Sequence, residues 1–196
     1  MTPKQVERIQ GKIKKLKAAL TRDKRQWGGY YHDGKGLRYL IPRLYLQLED
    51  YNGGQRYFNW FHKEFPDDSG YPDFLFEWSV ILFMNSKIGD AEKKLFETHC
   101  RNTYLIDKFL GKEIIPIEKW EGSNLEGDEF VNYFNYSSKD KNLTSFSEWL
   151  IGIIESEKFI TATEKYIETE IKLLHEKDYV TRCSLVEQQQ QLIDTY

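Results

Sequence analysis

The histidines and one cysteine are the residues of this sequence best suited to nucleophilic or metal chemistry. His99 and Cys100 are adjacent, while His32, His62 and His175 stand alone. Adjacent residues project about 100° apart on a helix, and no CxxC or HxxxH spacing places two metal ligands on one face. We therefore predict no metal and no cofactor. An enzyme with a cysteine–histidine site near His99 and Cys100 stays open as an alternative, because such partners need not be close in sequence.

The glycine-rich segment Gly29–Gly36 is a second candidate for chemistry. Its sequence, Gly29-Tyr-Tyr-His-Asp-Gly34-Lys35-Gly36, approaches the phosphate-binding P-loop pattern. A P-loop needs a Ser or Thr hydroxyl after the lysine to bind magnesium, and Gly36 supplies none. The segment also follows a lysine-rich stretch rather than a buried strand. We predict a connection between helices here and keep an enzyme with a nucleotide site as the alternative.

Positive charge is concentrated at the start of the chain. The 196 residues carry 28 Lys and Arg against 31 Asp and Glu, a net charge of −3. Residues 1–26 hold nine of these cations against two acids, a net charge of +7, so the other 170 residues sum to −10. Such a cluster can contact phosphates or steer an acidic partner. A solvated helix face explains it more simply, and the acidic remainder makes nucleic acid the weaker alternative partner.

Composition excludes several classes of protein. No apolar run approaches the roughly 20 residues of a membrane span, and the charged first residues differ from the apolar core of a signal peptide. An aromatic content of 15% is far above that of disordered chains. Cys100 and Cys183 are too few to staple a chain of this length, so we predict two free thiols. We expect a single cytoplasmic domain without membrane contact.

The elements that would position these residues have the pattern of helices. Thr2, Pro3 and Gln5 match an N-cap, a proline at the first helical position and a capping-box glutamine. Apolar residues then recur every three or four positions, opposite the lysines. These features predict a basic N-terminal helix over residues 1–27. It should end where Gly28 and the glycines after it break the helical pattern.

The rest of the chain keeps a helical apolar period, apart from short alternating pieces at 114–117 and 130–136. One pattern of large, small and turn residues occurs three times. The first two copies are offset by 37 residues, and the third lies 71 beyond the second. The matched positions are Ile41, Tyr45, Tyr51, Gly54 and Phe58; Trp78, Leu82, Ile88, Ala91 and Leu95; and Trp149, Ile153, Phe159, Ala162 and Tyr166. Small residues let two helices cross closely, so each copy predicts a helical hairpin that must stack on its neighbours.

The first copy, residues 35–68, resembles a tetratricopeptide repeat, a hairpin unit of about 34 residues. Its signature positions are occupied by Tyr45, Asp50-Tyr51, Gly54, Phe58 and Pro66. Residues 72–105 and 143–176 resemble further copies. The resemblance implies an all-α fold, a right-handed superhelix of stacked antiparallel hairpins. Residues 106–142 would then be an irregular insertion or a degenerate hairpin, and residues 178–196 a capping helix.

In tetratricopeptide proteins the first helix of each hairpin lines the concave surface, and the resemblance implies a partner-binding groove there. Its residues would be Tyr39, Arg43 and Gln47 from the first copy, Phe76, Val80, Phe83 and Met84 from the second, and Ile151 and Glu155 from the third. Between Phe74 and Met84 nine of eleven residues are apolar, which also fits a central helix packed on all sides. We expect a non-catalytic scaffold that binds a protein or peptide in this groove, with self-association through it as a further alternative.

Overall fold

Helices make up all of the regular secondary structure of the protein. The computed structural model describes residues 1–196 and contains nine α-helices, three short 3₁₀-helices and no strand. The α-helices are α1 (Pro3–Gln26), α2 (Pro42–Leu48), α3 (Tyr51–Glu64), α4 (Pro72–Met84), α5 (Ile88–Arg101), α6 (Leu105–Leu110), α7 (Thr144–Ile154), α8 (Glu157–His175) and α9 (Tyr179–Thr195). The 3₁₀-helices span Leu37–Leu40, Asp128–Tyr133 and Lys141–Leu143. The predicted all-α class is confirmed. No helix combines the length and the apolar character that crossing a bilayer requires.

Helix α1 begins at the capping box that the sequence predicts. The Thr2 side chain accepts a hydrogen bond from the Gln5 backbone N–H at 3.3 Å, and the Thr2 N–H donates to Gln5 Oε1 at 2.7 Å. Pro3 takes the first helical position, where a backbone N–H would have no acceptor within the helix, so its absence costs no hydrogen bond. The helix stops just before Gly28, which adopts a left-handed backbone with φ of 64°. Its inner side packs against α2 and the 3₁₀-helix Leu37–Leu40.

Small residues at two of the matched positions lie where helices approach closely. Gly54 in α3 faces Ile81 in α4, and a Cβ atom at residue 54 would lie 2.5 Å from Ile81 Cδ1. Ala91 in α5 is fully buried, and its carbonyl oxygen accepts a hydrogen bond from Ser79 Oγ of α4 at 2.8 Å. Ala162, at the third matched position, is buried in α8. Larger side chains at residues 54 and 91 would push α4 away from its neighbours.

Helix α4 lies at the centre of the molecule. Nine of its thirteen residues are buried, and it packs against α2, α3, α5 and α7. Its almost uninterrupted apolar sequence suits this position, since a surface helix would leave one side polar. Consecutive helices contact each other in the pairs α2 with α3, α4 with α5, and α7 with α8, while α9 packs on α5 and α8. The interpretation of residues 74–84 as a central helix is therefore confirmed.

The chain between α6 and α7, which we call the covering segment, is mostly irregular. The alternating pieces at 114–117 and 130–136 form no strand, because no neighbouring strand pairs with them. The segment is held instead by side chains. Asn102 Nδ2, at the end of α5, donates to the carbonyl oxygens of Leu125 and Gly127 at 2.7 and 3.0 Å. Such long-range bonds leave no periodic trace in the sequence.

Candidate functional site

The concave groove implied by the repeat resemblance is filled by the chain itself. Phe76 and Val80 of α4 are completely buried. The Phe76 ring lies with centroid distances of 4.9 to 5.7 Å from the rings of Phe109, Phe134, Tyr136 and Phe146. These rings belong to α6, the covering segment and α7. Phe76 and Val80 are thus core residues, and they have no surface to offer a partner.

The other apolar residues expected in that groove differ in exposure. Phe83 and Met84 are half-buried, and the Phe83 ring packs on Trp149 of α7 with centroids 5.0 Å apart. The exposed members of the set are Gln47, Ile151 and Glu155. Their side chains form no hydrogen bond or ion pair within the chain. A role in partner binding stays a prediction for these three residues.

Tyr39, a further residue of that set, belongs to an internal network. Its hydroxyl donates to the Asp68 carboxylate at 2.7 Å, and its ring stacks on Tyr71 with centroids 4.3 Å apart. Burial, and next the hydrogen bond to Asp68, raise the pKa of Tyr39 above its usual range. Arg38 Nε donates to the same carboxylate at 2.8 Å. These hydrogen bonds hold the 3₁₀-helix Leu37–Leu40 against the connection between α3 and α4, which contains Asp68.

A buried carboxyl group, Glu77, links α4 to the covering segment. Its Oε1 accepts a hydrogen bond from the Tyr136 hydroxyl at 2.6 Å, while Oε2 has no partner. Burial, and next the charge of Asp73 one turn earlier, raise the pKa of Glu77 to about 8, while the hydrogen bond from Tyr136 and the charge of Arg43 act in the opposite direction. The group is therefore mostly protonated at neutral pH. The only trace of this pair in the sequence is that Glu77 is a lone acid in an apolar run.

His99 and Cys100 are both buried near the end of α5. His99 Nε2 has no hydrogen-bond partner, and burial, with the charge of Lys119, lowers the pKa of His99 to about 4. Burial raises the pKa of the Cys100 thiol well above its usual range. At neutral pH the imidazole is neutral and the thiol is protonated. The thiolate, which is the nucleophilic form of cysteine, is not stabilised here.

The glycine-rich segment Gly29–Gly36 is folded around carboxylates rather than open to a phosphate. Asp23 Oδ2 accepts hydrogen bonds from the backbone N–H groups of His32 and Asp33 at 2.8 and 3.0 Å. The Asp33 carboxylate in turn accepts from two N–H groups of the following 3₁₀-helix. A phosphate cradle needs such N–H groups free. The segment is therefore a structural connection between helices.

Metal ligands are not clustered anywhere in the chain. No group of three or more His, Cys, Asp or Glu side chains is arranged to hold a metal ion.

The side of α4 opposite Phe76 and Val80 forms the floor of an open groove. Leu75, Trp78 and Leu82 follow one another at spacings of three and four residues and therefore share one face of the helix. Helices α3 and α5 stand on either side of this floor. Two adjoining depressions, of about 430 and 510 Å³, both include Trp78. We call this feature the α3–α5 groove.

Both rims of the α3–α5 groove are polar. The α3 rim carries Gln55, Asn59 and His62, and the α5 rim carries Asp90, Lys94, Glu97 and Arg101. Spacings of three and four residues place each set along one side of its helix. The charges on the α5 rim alternate in sign along the groove, and one end of the groove meets α9 at Gln190, Ile193 and Asp194. This row of charges is the one sequence signal of the groove, and by itself it is typical of any solvated helix face.

Trp78 is a half-buried ring at the junction of the two depressions. The rims on either side of it carry polar groups that do not use all of their hydrogen-bonding capacity. Lys94 Nζ lies 4.4 Å from the centroid of the Trp78 ring and pairs with Glu97. On the other rim, Gln55 Nε2 donates to Asn59 Oδ1 at 2.9 Å, and Gln55 Oε1 has no partner. An ammonium group has three donors, and an amide oxygen has two lone pairs. Lys94 Nζ and the exposed Asn59 side chain can therefore still bind a ligand, whereas Gln55 Oε1 is shielded from solvent.

Comparisons with known proteins identify no relative of the chain. No protein-family model matches it, and searches of curated proteins and of solved structures returned no significant match. The resemblance to tetratricopeptide repeats therefore rests on the residues quoted above.

Proposed function

We propose that this protein is a non-catalytic scaffold that binds a peptide segment of a partner protein in the α3–α5 groove. The observation that carries the proposal is Trp78, an aromatic ring at the floor of a groove whose rims are polar on both sides. Aromatic anchors in such settings contribute a large share of binding energy at protein interfaces. The groove takes the place of the concave surface expected on the other side of α4.

The scaffold in this proposal is a stack of helical hairpins of the tetratricopeptide type, with the right-handed superhelical arrangement of that family. Three observations support it. The matched positions are offset by 37 residues between the first two hairpins. Gly54 and Ala91, which share that offset, both lie at close helix contacts. Helix α4 packs against both helices of the preceding pair, as stacking requires.

The chemistry of the groove favours an extended peptide with one apolar side chain placed on Trp78. The eleven-residue rise from Asp90 to Arg101 corresponds to about 16 Å of helix, which matches roughly five residues of extended chain. The amide of Asn59 can bond the peptide backbone. The α5 rim favours a peptide whose own charges alternate in the complementary order, because like charges placed opposite each other would repel.

Two further properties support a binding role in the cytoplasm. The Cys100 thiol is buried where its thiolate, the nucleophilic form, is not stabilised. Both cysteines are free, Cys100 buried and Cys183 half-buried, as expected for a chain in a reducing compartment.

Selection from a displayed library of random peptides tests the proposal, followed by titration of selected peptides against Trp fluorescence and calorimetry. Lys94→Glu inverts the charge beside Trp78 and should weaken binding about tenfold or more, as expected for a change beside an interface hot spot. Lys139→Glu, an equal change of charge at an exposed position of the covering segment, should leave the dissociation constant unchanged. Selected peptides that bind wild type and Lys94→Glu equally well would contradict the assignment of the groove.

A further inference from the structure

A cavity walled by aromatic rings lies between α1 and α3. Helix α1 packs against α2 and the 3₁₀-helix before it, which leaves a space of about 190 Å³ beside α3. Its walls include Tyr31, Tyr57 and Trp60. The rings of Tyr57 and Trp60 are 5.1 Å apart between centroids, and Tyr31 meets Trp60 edge-on at 5.7 Å. The three rings therefore pack on one another and form an aromatic wall of the cavity.

Two cations face this cavity without a carboxylate partner. Lys17 Nζ donates to the Tyr45 hydroxyl at 2.8 Å, which leaves two of its three N–H bonds for other acceptors. Arg56 is exposed and forms no ion pair or side-chain hydrogen bond. Thr21 adds a hydroxyl to the wall, and no acidic residue lines the cavity. The cavity is thus positive as well as ring-walled.

More positive charge continues along both helices on this side. Lys14 and Lys24 lie three residues before and seven residues after Lys17, so that all three lie along one side of α1. Helix α3 adds the exposed Lys63. Lys24 alone among these four lysines has a carboxylate partner, Glu64. We call the surface made of the cavity and these lysines the α1–α3 seam.

The chemistry of the seam discriminates between possible anionic partners. An amphipathic helix binds a lipid surface through an exposed apolar face, but Ile13 and Leu20 on the apolar face of α1 are buried in the core. An acidic peptide would use the cations and leave the three rings without a role. Single-stranded nucleic acid uses both features, because its bases stack on aromatic rings while its phosphates pair with Lys and Arg.

We propose that the α1–α3 seam binds single-stranded nucleic acid, with one base in the cavity beside Trp60 and the neighbouring phosphates along Lys14, Lys17 and Arg56. This site is separate from the α3–α5 groove and independent of the function proposed for it. The net charge of −3 does not oppose it, since phosphate contacts respond to the local field of the seam.

Fluorescence anisotropy of a labelled oligodeoxythymidine of about 15 nucleotides tests the proposal with the full chain. Wild-type binding should weaken steeply between about 50 and 200 mM salt. The double variant Lys14→Glu with Arg56→Glu should lower the affinity by at least about tenfold. It should also flatten the slope of log affinity against log salt concentration by about 1.4, because each phosphate contact with a single strand contributes about 0.7. The control pair Lys139→Glu with Lys141→Glu makes the same change of charge outside the seam and should bind as wild type does.

Trp60→Leu separates stacking from charge, because it keeps every cation. It should weaken oligonucleotide binding about fivefold or more, while a circular-dichroism melt establishes that it is folded. Lys14 and Arg56 are exposed, so the charge variants test the proposal even where the ring variant is unstable. The proposal is overturned if wild type does not bind at about 50 mM salt, or if folded Trp60→Leu binds as wild type does. It is equally overturned if polyglutamate or phosphatidylserine vesicles bind as tightly as the oligonucleotide, which would assign the seam to an acidic protein or a lipid surface.

Discussion

The two sides of α4 carry similar apolar residues, but one side is fully buried and the other is partly exposed to solvent. On one side Phe76 and Val80 are fully buried, and the Phe76 ring packs against rings of α6, the covering segment and α7. On the other side Trp78 stays partly exposed between α3 and α5. The difference lies in what covers each side, because the helix itself is apolar all round. Which side of a central helix is available to a partner is therefore decided by distant parts of the chain.

Removing a ring from the closed side should have the largest effect on stability. We expect Phe76→Ala to lower the free energy of unfolding by about 3–5 kcal/mol, because it empties a fully buried site among four other rings. His62→Ala, an exposed change on the rim of the open side, should stay within about 0.5 kcal/mol of wild type. Urea denaturation followed by circular dichroism measures both values. Similar costs for the two variants would remove the contrast between the two sides.

The buried carboxyl group of the closed side should make stability depend on pH. Folding raises the pKa of Glu77 from an ordinary value of 4.5 to about 8, so between these values the folded protein binds this proton more tightly than the unfolded chain does. The contribution of Glu77 to stability is therefore complete below about pH 4.5 and is lost as the pH rises to about 8. At about 1.4 kcal/mol for each unit of pKa difference, the loss amounts to a few kcal/mol.

Urea denaturation at a series of pH values, with wild type and Glu77→Gln compared, measures this dependence. The variant cannot ionise at residue 77, so the difference in unfolding free energy between the two proteins should change across this range. Glu129→Gln, at an exposed position of the covering segment, is the matched control and should follow the wild-type curve. A difference between wild type and Glu77→Gln that stays constant with pH would show that the carboxyl group is not buried as described.

Helices α3 and α4 approach closely at Gly54, on one wall of the open side. Adding a single methyl group at residue 54 should therefore lower the stability of the protein. Gly54→Ala places a Cβ atom 2.5 Å from Ile81 Cδ1, and we expect a loss of about 1–3 kcal/mol in unfolding free energy from overpacking. Gly152→Ala in α7, where nothing lies within 4 Å, should instead stabilise the protein by about 0.5–1 kcal/mol through helix propensity.

Thermal and urea unfolding measure the stability of the two glycine variants. The same measurements are made on the double variant in which Ile81→Val is added to Gly54→Ala. The second substitution removes the Cδ1 atom that the new methyl group meets, and should recover part of the loss. If Gly54→Ala and Gly152→Ala change stability in the same direction, the close approach of α3 and α4 is not what selects glycine at residue 54.

Much of the local structure of the protein was readable from sequence. The capping box at Thr2 and the end of α1 before Gly28 follow from short-range chemistry, and both are confirmed. The apolar run of residues 74–84 indicated a central helix, and α4 lies at the centre of the molecule, with Trp78 left half-buried on one side. Each of these features depends on residues within a few positions of one another, where periodicity and capping rules apply.

The site was harder to predict, because its two sides depend on long-range contacts. Glu77 and Tyr136 bond across 59 residues, and the covering segment that carries Tyr136 has no apolar period to reveal its path. The charged row on α5 that begins at Asp90 is visible in the sequence. It resembles an ordinary solvated helix face until the groove beside Trp78 is known.

The cover of α4 also has a consequence for the synthesis of the protein. Helix α4 can pair with α5 soon after both leave the ribosome, since they are neighbours in sequence. Its other side has to wait for the covering segment, and Tyr136 follows Glu77 by 59 residues. At about 5–20 residues per second this delay lasts roughly 3–12 s. During each round of translation the side of α4 that carries Phe76 and Val80 thus stays uncovered for several seconds, and exposed apolar surface of this kind favours aggregation.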